Sequence, residues 1–291
     1  MDADTPLGKG SISACLVVRN EGAVIERCLT SLHGAVDEII LIHDGECEDA
    51  TLDIAQRFGC RIFQHDLVGH SEAATVFAFD EARGEWLLAI DADEFLSASL
   101  REALRQLVCN ADVNGYELLW RMWDGRRYIT LNGPYKLALY RRSCVHVLGL
   151  IHCPERVDPP VVRVELQLEH RPNYNNFTLR TMLTKWRRWA RIHARELTSD
   201  FSTLPKFNWD ESDWPARRRL LNRLSPVMVL PSVPLVFLVN VVRSRDVYSA
   251  RENIRMARGQ ALYAGMVQFY VAKYVYGAKR DSDTATEPPL P

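Results

Sequence analysis

Asp91-Ala92-Asp93-Glu94 sets two carboxylates one residue apart, a spacing that suits holding a divalent cation against a diphosphate. Magnesium and manganese prefer carboxylate oxygens and often complete their shells with substrate phosphates. An acidic pair in a loop is usually solvated surface, but this one ends the apolar run Trp86-Leu87-Leu88-Ala89-Ile90. That run reads as a buried strand, and open α/β sheets take their ligands at strand carboxyl ends. Two carboxylates on adjacent faces repel unless a cation compensates, so the metal reading outweighs plain surface for Asp91 and Asp93. Glu94 reads as a residue that caps or solvates the next turn. Other polar residues follow other apolar runs: Arg19, Asn20 and Glu21 after one, Asp44, Glu48 and Asp49 after another. Such a set can bind a nucleotide through base and ribose hydrogen bonds and leave the phosphates to a metal. Asp44 and Asp49 also suit plain turn and N-cap positions.

The elements that must position these residues alternate. Ile12 to Val18 is β-rich; Val24, Ile25, Cys28, Leu29 and Leu32 then fall on one helical face. Asp37 to Ile42 is a second strand, Asp49 is placed to cap a short helix that Gly59 stops, and Arg61 to His65 is a third strand. Ser71 to Arg83 reads as a helix ending at Gly84, and the fourth strand delivers the acidic motif. Ser99 and Glu102 form a capping box for a helix carrying Leu100, Leu104, Leu107 and Val108. Strands alternating with short helices predict an α/β fold with a mainly parallel, helix-covered sheet.

Composition narrows the class. A chain of 291 residues has room for one sizeable domain and an appendage. The net charge of −1 gives no reason to expect a nucleic-acid partner. Seven cysteines without C-x-x-C spacing read as reduced thiols in a cytosolic setting. The first six residues have neither a basic n-region nor an apolar h-region, so no signal peptide is expected. Neither G-x-G-x-x-G nor G-x-x-x-x-G-K-[ST] occurs, which removes the dinucleotide fingerprint and the P-loop.

The segments 12–21, 26–32, Asp37-Glu38-Ile39-Ile40, Asp44-Gly45 and 84–96 together resemble family-2 glycosyltransferases, closely over the first third of the chain and more loosely beyond. Among these the chain looks most like bacterial enzymes that build lipopolysaccharide core or related surface glycans. The resemblance implies a GT-A fold (a Rossmann-like nucleotide-binding sheet with a mixed acceptor part), a nucleotide-sugar donor and a divalent metal, manganese or magnesium. It implies that Arg19, Asn20 and Glu21 line the nucleotide pocket, with Asp44 on the base. Asp91, with Ala92 beside it in the nucleotide site, would face ribose or the metal shell, and Asp93 would ligate the metal. The chain departs from the family where a basic residue is expected on the helix before strand four, since Glu72-Ala73-Ala74-Thr75-Val76 has none, and where Ala138 replaces an arginine.

In the second half, 115–123, 128–131 and 135–142 read as strands of the mixed, acceptor-side sheet, and 161–169 as another. An inverting transferase needs a carboxylate to take the acceptor hydroxyl proton. Ile151-His152-Cys153-Pro154-Glu155 resembles the place where relatives carry a His-Glu pair, which implies Glu155 as base, with Asp158 the alternative. His152 is a candidate metal ligand, although a lone histidine is more often packed; the same holds for His170.

Residues 177–197 carry an apolar, tryptophan-bearing stripe and a basic stripe of Arg180, Arg187, Arg188, Arg191 and Arg195. The pattern suits an anionic membrane surface and a core-packed helix equally. Leu224 to Val242 is uncharged and near the length of a span. Pro226, Pro231 and Pro234 argue against a straight helix there, at roughly 3 kcal/mol each, and favour re-entrant or interfacial insertion. Asp246 is placed to cap a last helix whose aromatic residues could pack on the catalytic domain, the membrane or a second copy in a homodimer. The expected organisation is a disordered 1–10, a catalytic unit over 11–172, a helical region over 173–280 and a disordered tail over 281–291. The expected function is metal-dependent, inverting sugar transfer from a nucleotide-sugar to a lipid-linked or glycolipid acceptor, at the cytoplasmic face of the cell membrane as a peripheral or monotopic protein. The competing readings are a sugar nucleotidyltransferase, which the missing Gly-rich loop disfavours, and a membrane-docked binding protein that has lost turnover.

Overall fold

The computed structural model describes residues 5–130, 132–173, 178–209 and 214–277. The amino-terminal half alternates β1 (Ile12–Val18), α1 (Ile25–Leu32), β2 (Glu38–Asp44), α2 (Thr51–Arg57), β3 (Arg61–His65), α3 (Ser71–Glu81) and β4 (Trp86–Ala89). It continues through β5 (Glu94–Leu96), α4 (Ala98–Val108), β6 (Gly115–Leu119), β7 (Tyr135–Arg141), β8 (Val145–Leu148), β9 (Arg156–Val157) and β10 (Val161–His170). The large sheet has the order β3-β2-β1-β4-β7-β6-β10-β5. Its first four strands are parallel; β7 enters antiparallel between β4 and β6, β10 runs parallel to β6, and β5 antiparallel to β10. The predicted α/β class, parallel over the first four strands and mixed beyond them, is the observed one.

β1 and β2 are apolar on both faces because both faces are covered. α1, α2 and α4 pack on one side around Leu16, Leu29, Leu41 and Leu104, and α3 on the other around Phe79, Leu87 and Tyr140. At Gly84 a Cβ would sit 2.6 Å from Ser13 Oγ, so the turn into β4 requires glycine to lie against β1. A short second sheet, β11-β8-β9 with β11 at Lys206–Phe207, closes the α3 side.

Several local expectations change. The N-cap of α4 is Ser97, whose hydroxyl accepts from Leu100 N, rather than Ser99. Asp49 does not cap through its own position; it accepts from Thr51 N at 2.9 Å and from Gly22 N at 2.8 Å. Residues 128–130 form only isolated bridges, Trp123 with Tyr128 and Thr130 with Tyr248, and Leu131 lies outside the described residues. In the first ten residues, expected to be disordered, Leu7 N donates to Arg83 O at 3.0 Å and Gly10 N to Glu85 Oε2 at 2.6 Å. The tail from 281 is outside the described residues.

The carboxyl-terminal region is helical. A turn of α5 (Leu179–Thr181) runs through a π-helical stretch (Met182–Trp186) into α6 (Arg187–Thr198), followed by α7 (Trp214–Arg243) and α8 (Ala250–Gly277). α6 buries Ala190 and Ala194 against Val267, Tyr270 and Val271 of α8, so the 177–197 stripe is in part a core-packed face. Arg187 Nε donates to Tyr270 Oη at 3.0 Å and Arg191 lies over the same ring. α8 starts four residues beyond Asp246, which therefore does not cap it.

α7 is one helix despite three internal prolines. Pro226 has no N–H for the carbonyl of Asn222, one turn back. Ser225 Oγ donates to that same carbonyl at 2.7 Å, so it is not left without a donor. Close approach to α8 adds packing: a Cβ at Gly265 would stand 2.7 Å from Val233 Cγ2. Asn222–Arg243 is long and apolar enough to cross a membrane by length and composition, and only 11% of its apolar window is buried. Val227 and Leu230 are 73% and 83% exposed.

Candidate active site

The acidic motif turns where the chain leaves β4 and crosses to the far edge of the sheet, because β5 begins at Glu94 and pairs with the end of β10. Glu94 is fully buried, so it neither caps an exposed turn nor is solvated as expected. One of its oxygens accepts from Trp120 Nε1 at 2.6 Å, the other from Asp91 N at 2.9 Å. Lys136 Nζ lies 2.9 and 2.8 Å from the two and also reaches Asp91 Oδ2 at 3.0 Å. Burial alone would pull the Lys136 ammonium down, but Asp91 and Glu94 outweigh it and push the group up. A protein cation therefore meets part of the repulsion that the sequence assigned to a metal. No motif announces Lys136: it stands in β7, two residues before Ala138, where the family resemblance implied an arginine.

Asp93 takes a different partner. β5–β10 pairing sets His170 opposite Glu94, and His170 Nε2 comes within 3.6 Å of Asp93 Oδ2. The imidazole stacks on Trp120 with ring centroids 4.5 Å apart. Burial works to raise the Asp93 carboxyl, yet His170, Lys136 and Lys185 hold it below its ordinary value. Glu21 behaves oppositely: burial and the Asp93 charge push it up to about 7. The histidine that faces the motif is thus His170, whereas His152 has its ring among Trp189, His193 and Tyr263.

After β1, Asn20 adopts a left-handed conformation (φ 53°), and its side-chain oxygen accepts from Glu48 N at 2.9 Å. Asp44 is buried at the end of β2, and its two oxygens accept from Val68 N at 2.6 Å and Gly69 N at 2.8 Å. It therefore shapes the 68–69 turn. Above that turn stands Arg188 of α6: its Nη2 lies 3.1 Å from the position a Gly69 Cβ would take, and its Nε is buried with no hydrogen-bond partner among the described residues. Burial and the charge of Arg19 both hold its guanidinium below its ordinary value, against Asp44. Sequence reasoning placed Arg188 in a solvated basic stripe. Lys185, one turn earlier on the same side, is close enough to Glu21 and Asp93 to act on both.

Beside Asp91 a cavity of about 400 Å³, which also reaches Val17 of β1 and Ser71 of α3, is lined by Asp91, Lys136, Glu72, His152 and Glu155. Burial raises the Glu155 carboxyl, with Lys136 acting against it. Asp158 is not brought into this cavity; it is exposed and pairs with His146 Nε2 at 3.1 Å. Beyond His152 a groove of about 510 Å³ is walled by Trp120, Trp186, Trp189, Tyr263, Met122 and Met256.

Among the described residues no group of three or more His, Cys, Asp or Glu side chains is arranged to hold a metal ion. Asp93 nonetheless fits one that takes its remaining ligands from a diphosphate, since such ions are often held by one or two carboxylates plus substrate phosphates, and His170 stands beside it as a second donor.

Residues 13–151 match the family described as Glycosyl transferase family 2. An uncharacterized glycosyltransferase of Rickettsia bellii is 32% identical over 105 residues, which are 36% of this chain and 35% of that protein. A TPR repeat-containing protein of Synechococcus elongatus is 32% identical over 108 residues, 37% of this chain and 27% of its own length. The chain thus spans about a third or less of these relatives. Among solved structures, Staphylococcus aureus TarS in complex with UDP-GlcNAc superposes over 92% of both chains with a TM-score of 0.44 at 14% identity. Glucosyl-3-phosphoglycerate synthase of Mycobacterium tuberculosis does so over 64% of this chain and 78% of its own, with a TM-score of 0.43 at 16% identity.

Proposed function

Residues 13–151 are a glycosyl transferase family 2 domain, and on that premise we propose that the chain moves a sugar from a nucleotide-sugar donor to an acceptor hydroxyl with inversion. The observation that carries this reading is the convergence of the polar residues after β1 and β2 with Asp93, after β4, and His170, at the end of β10. Arg19 and Glu21 form a polar rim with the Asp44-shaped turn, and Arg188 and Lys185 add the positive charge a diphosphate needs. A divalent ion, manganese or magnesium, held by Asp93 and His170 would supply charge neutralisation for the departing nucleoside diphosphate. Asp91, steadied by Lys136, is left to ribose. Glu155 opens into the cavity on the acceptor side and takes the hydroxyl proton.

The acceptor reading rests on the tryptophan-lined groove, which carries no charged side chain and adjoins the Glu155 cavity at His152. It suits the uncharged part of a glycolipid or lipid-linked acceptor. The exposed apolar face of α7 supports docking at a membrane surface, with Arg223 and Arg243 at its ends.

Titration calorimetry with UDP, GDP and CMP, with and without manganese, tests the donor site. One nucleotide is expected to bind at least tenfold more tightly with manganese, and Asp93→Ala to lose that increment. Equal binding with and without the ion would remove the metal from the reading, and no binding by folded protein would remove the donor site. For the membrane, wild type is expected to sediment with vesicles containing anionic phosphatidylglycerol, and the double variant Val227→Glu, Leu230→Glu to stay in the supernatant. Equal sedimentation of the two would place the contact elsewhere.

A further inference from the structure

His70, just before α3, is buried between two carboxylates from different parts of the fold. Its Nδ1 is hydrogen-bonded to Glu72 Oε2 at 3.2 Å, and its Nε2 pairs by charge with Glu196 Oε1 of α6 at 2.6 Å, outside hydrogen-bond alignment. A neutral imidazole has one N–H and one lone pair, so only the doubly protonated ring can serve two carboxylates at once. Each carboxylate then turns its second oxygen to the main chain of the acceptor-side loop. Glu72 Oε1 accepts from His152 N at 2.7 Å and Glu196 Oε2 from Ile151 N at 3.0 Å. These two consecutive amides are held where His152 takes a left-handed conformation (φ 57°). A residue with a Cβ keeps such a backbone only when its surroundings over-determine it. Three residues on, the chain delivers Glu155 to the cavity.

We propose that His70 is a positioning residue: as an imidazolium it joins Glu72 and Glu196 into a clamp on the 151–152 main chain, and so sets the place of Glu155. Without the central cation the two carboxylates would repel each other, and the loop would lose the pair of acceptors that fixes its turn.

The groups facing His70 are Glu72 on α3, Glu196 on α6 and His152 on the loop; Tyr263 of α8 is near enough to feel both carboxylates. Burial lowers His70, but the two glutamates outweigh it and raise it to about 9. A histidine raised from 6.5 in this way stabilises the clamp fully below that value and loses it as pH rises through 9.

The consequence for turnover rests on the reading of Glu155 as base, so the test has a readout that needs no substrate. Amide hydrogen exchange of peptides covering 149–155 is compared in wild type, His70→Gln and Glu196→Gln, with peptides from β1 and β2 as reference. The 149–155 amides are expected to exchange at least tenfold faster in both variants while the reference peptides are unchanged. In wild type, protection corrected for intrinsic rates should fall through pH 9. Unchanged protection in His70→Gln, or faster exchange everywhere, would overturn the clamp. Turnover is read as release of nucleoside diphosphate from the sugar ester of whichever nucleotide binds in the titration. His70→Gln should lose at least tenfold in kcat with nucleotide affinity within twofold, and should lack the alkaline limb near pH 9. Full turnover in a variant with a loosened loop would overturn the positioning role. Full turnover in Glu155→Gln would instead overturn the base reading and leave the loop clamp standing.

Discussion

Lys136→Met is expected to destabilise the fold by about 3 kcal/mol at pH 8.5, the usual scale for removing one partner of a buried ion pair, and by clearly less at pH 6. The ammonium is shared by Asp91 and by Glu94, which is 0% exposed. Burial pushes Glu94 up to about 7, and Lys136 works against that push. Removing Lys136 raises it further. A carboxyl whose folded value lies above its unfolded one contributes its stability below the unfolded value and loses it as pH rises through the folded one. Below pH 7, Glu94 is largely protonated with or without Lys136, so wild type and variant differ there only by the lost contacts. Above pH 7, wild type holds a paired carboxylate while the variant must either keep the proton or bury an unpaired charge, so the deficit opens. Thermal melts at the two pH values read this directly, with a shift of roughly 6–12 °C at pH 8.5 for a chain of this size. Glu94→Gln in the Lys136→Met background should recover much of the high-pH deficit, as a double-mutant cycle would report for groups in contact. A deficit of the same size at both pH values would mean that Lys136 acts through packing alone.

The same pair marks the limit of what the sequence makes legible. The strands of the parallel half and the place of Asp91 and Asp93 follow from apolar runs that end in polar residues, a local signal. Lys136 carries no such signal, since a lysine in Tyr135-Lys136-Leu137 looks like any residue on a solvated strand face. Only the insertion of β7 between β4 and β6 brings it to Glu94. His170 is similar: the long-range pairing of β5 with β10, not chain proximity to a motif, sets it opposite Glu94 and beside Asp93. Arg188 was hidden among five arginines on one helix. At α7 the propensity rule for proline was sound but incomplete, because Ser225 supplies the carbonyl of Asn222 with the donor that Pro226 lacks. In each case the missing information was a partner from elsewhere in the chain, or a side chain acting as a backbone donor.

Glu155→Gln is expected to lower the rate of sugar transfer by about 10²–10⁴-fold, the range that general-base catalysis commonly contributes, while nucleotide affinity stays within twofold. Glutamine keeps the size of the side chain and its reach into the cavity but cannot accept the hydroxyl proton. The donor side should be indifferent, because Arg19, Asp93, His170 and Arg188 do not line the cavity that Glu155 enters. Wild-type turnover should fall as pH drops through the Glu155 value, which burial places above the ordinary carboxylate range, since the base must be ionised to act. That limb should vanish from the residual rate of the variant. Asp158→Asn is the comparison that separates the two carboxylates raised by the sequence. Asp158 is exposed and paired with His146, so its amide should transfer sugar within about twofold of wild type, as surface changes away from a site generally do. Should Glu155→Gln keep its rate and its acid limb, the proton must go to another carboxylate of the same cavity. Glu72 already accepts from His152 N and faces His70, and Asp91 is held by Lys136. Glu155 takes a hydrogen bond from its own main-chain amide and feels the Lys136 charge only through space, which leaves an oxygen for the hydroxyl proton.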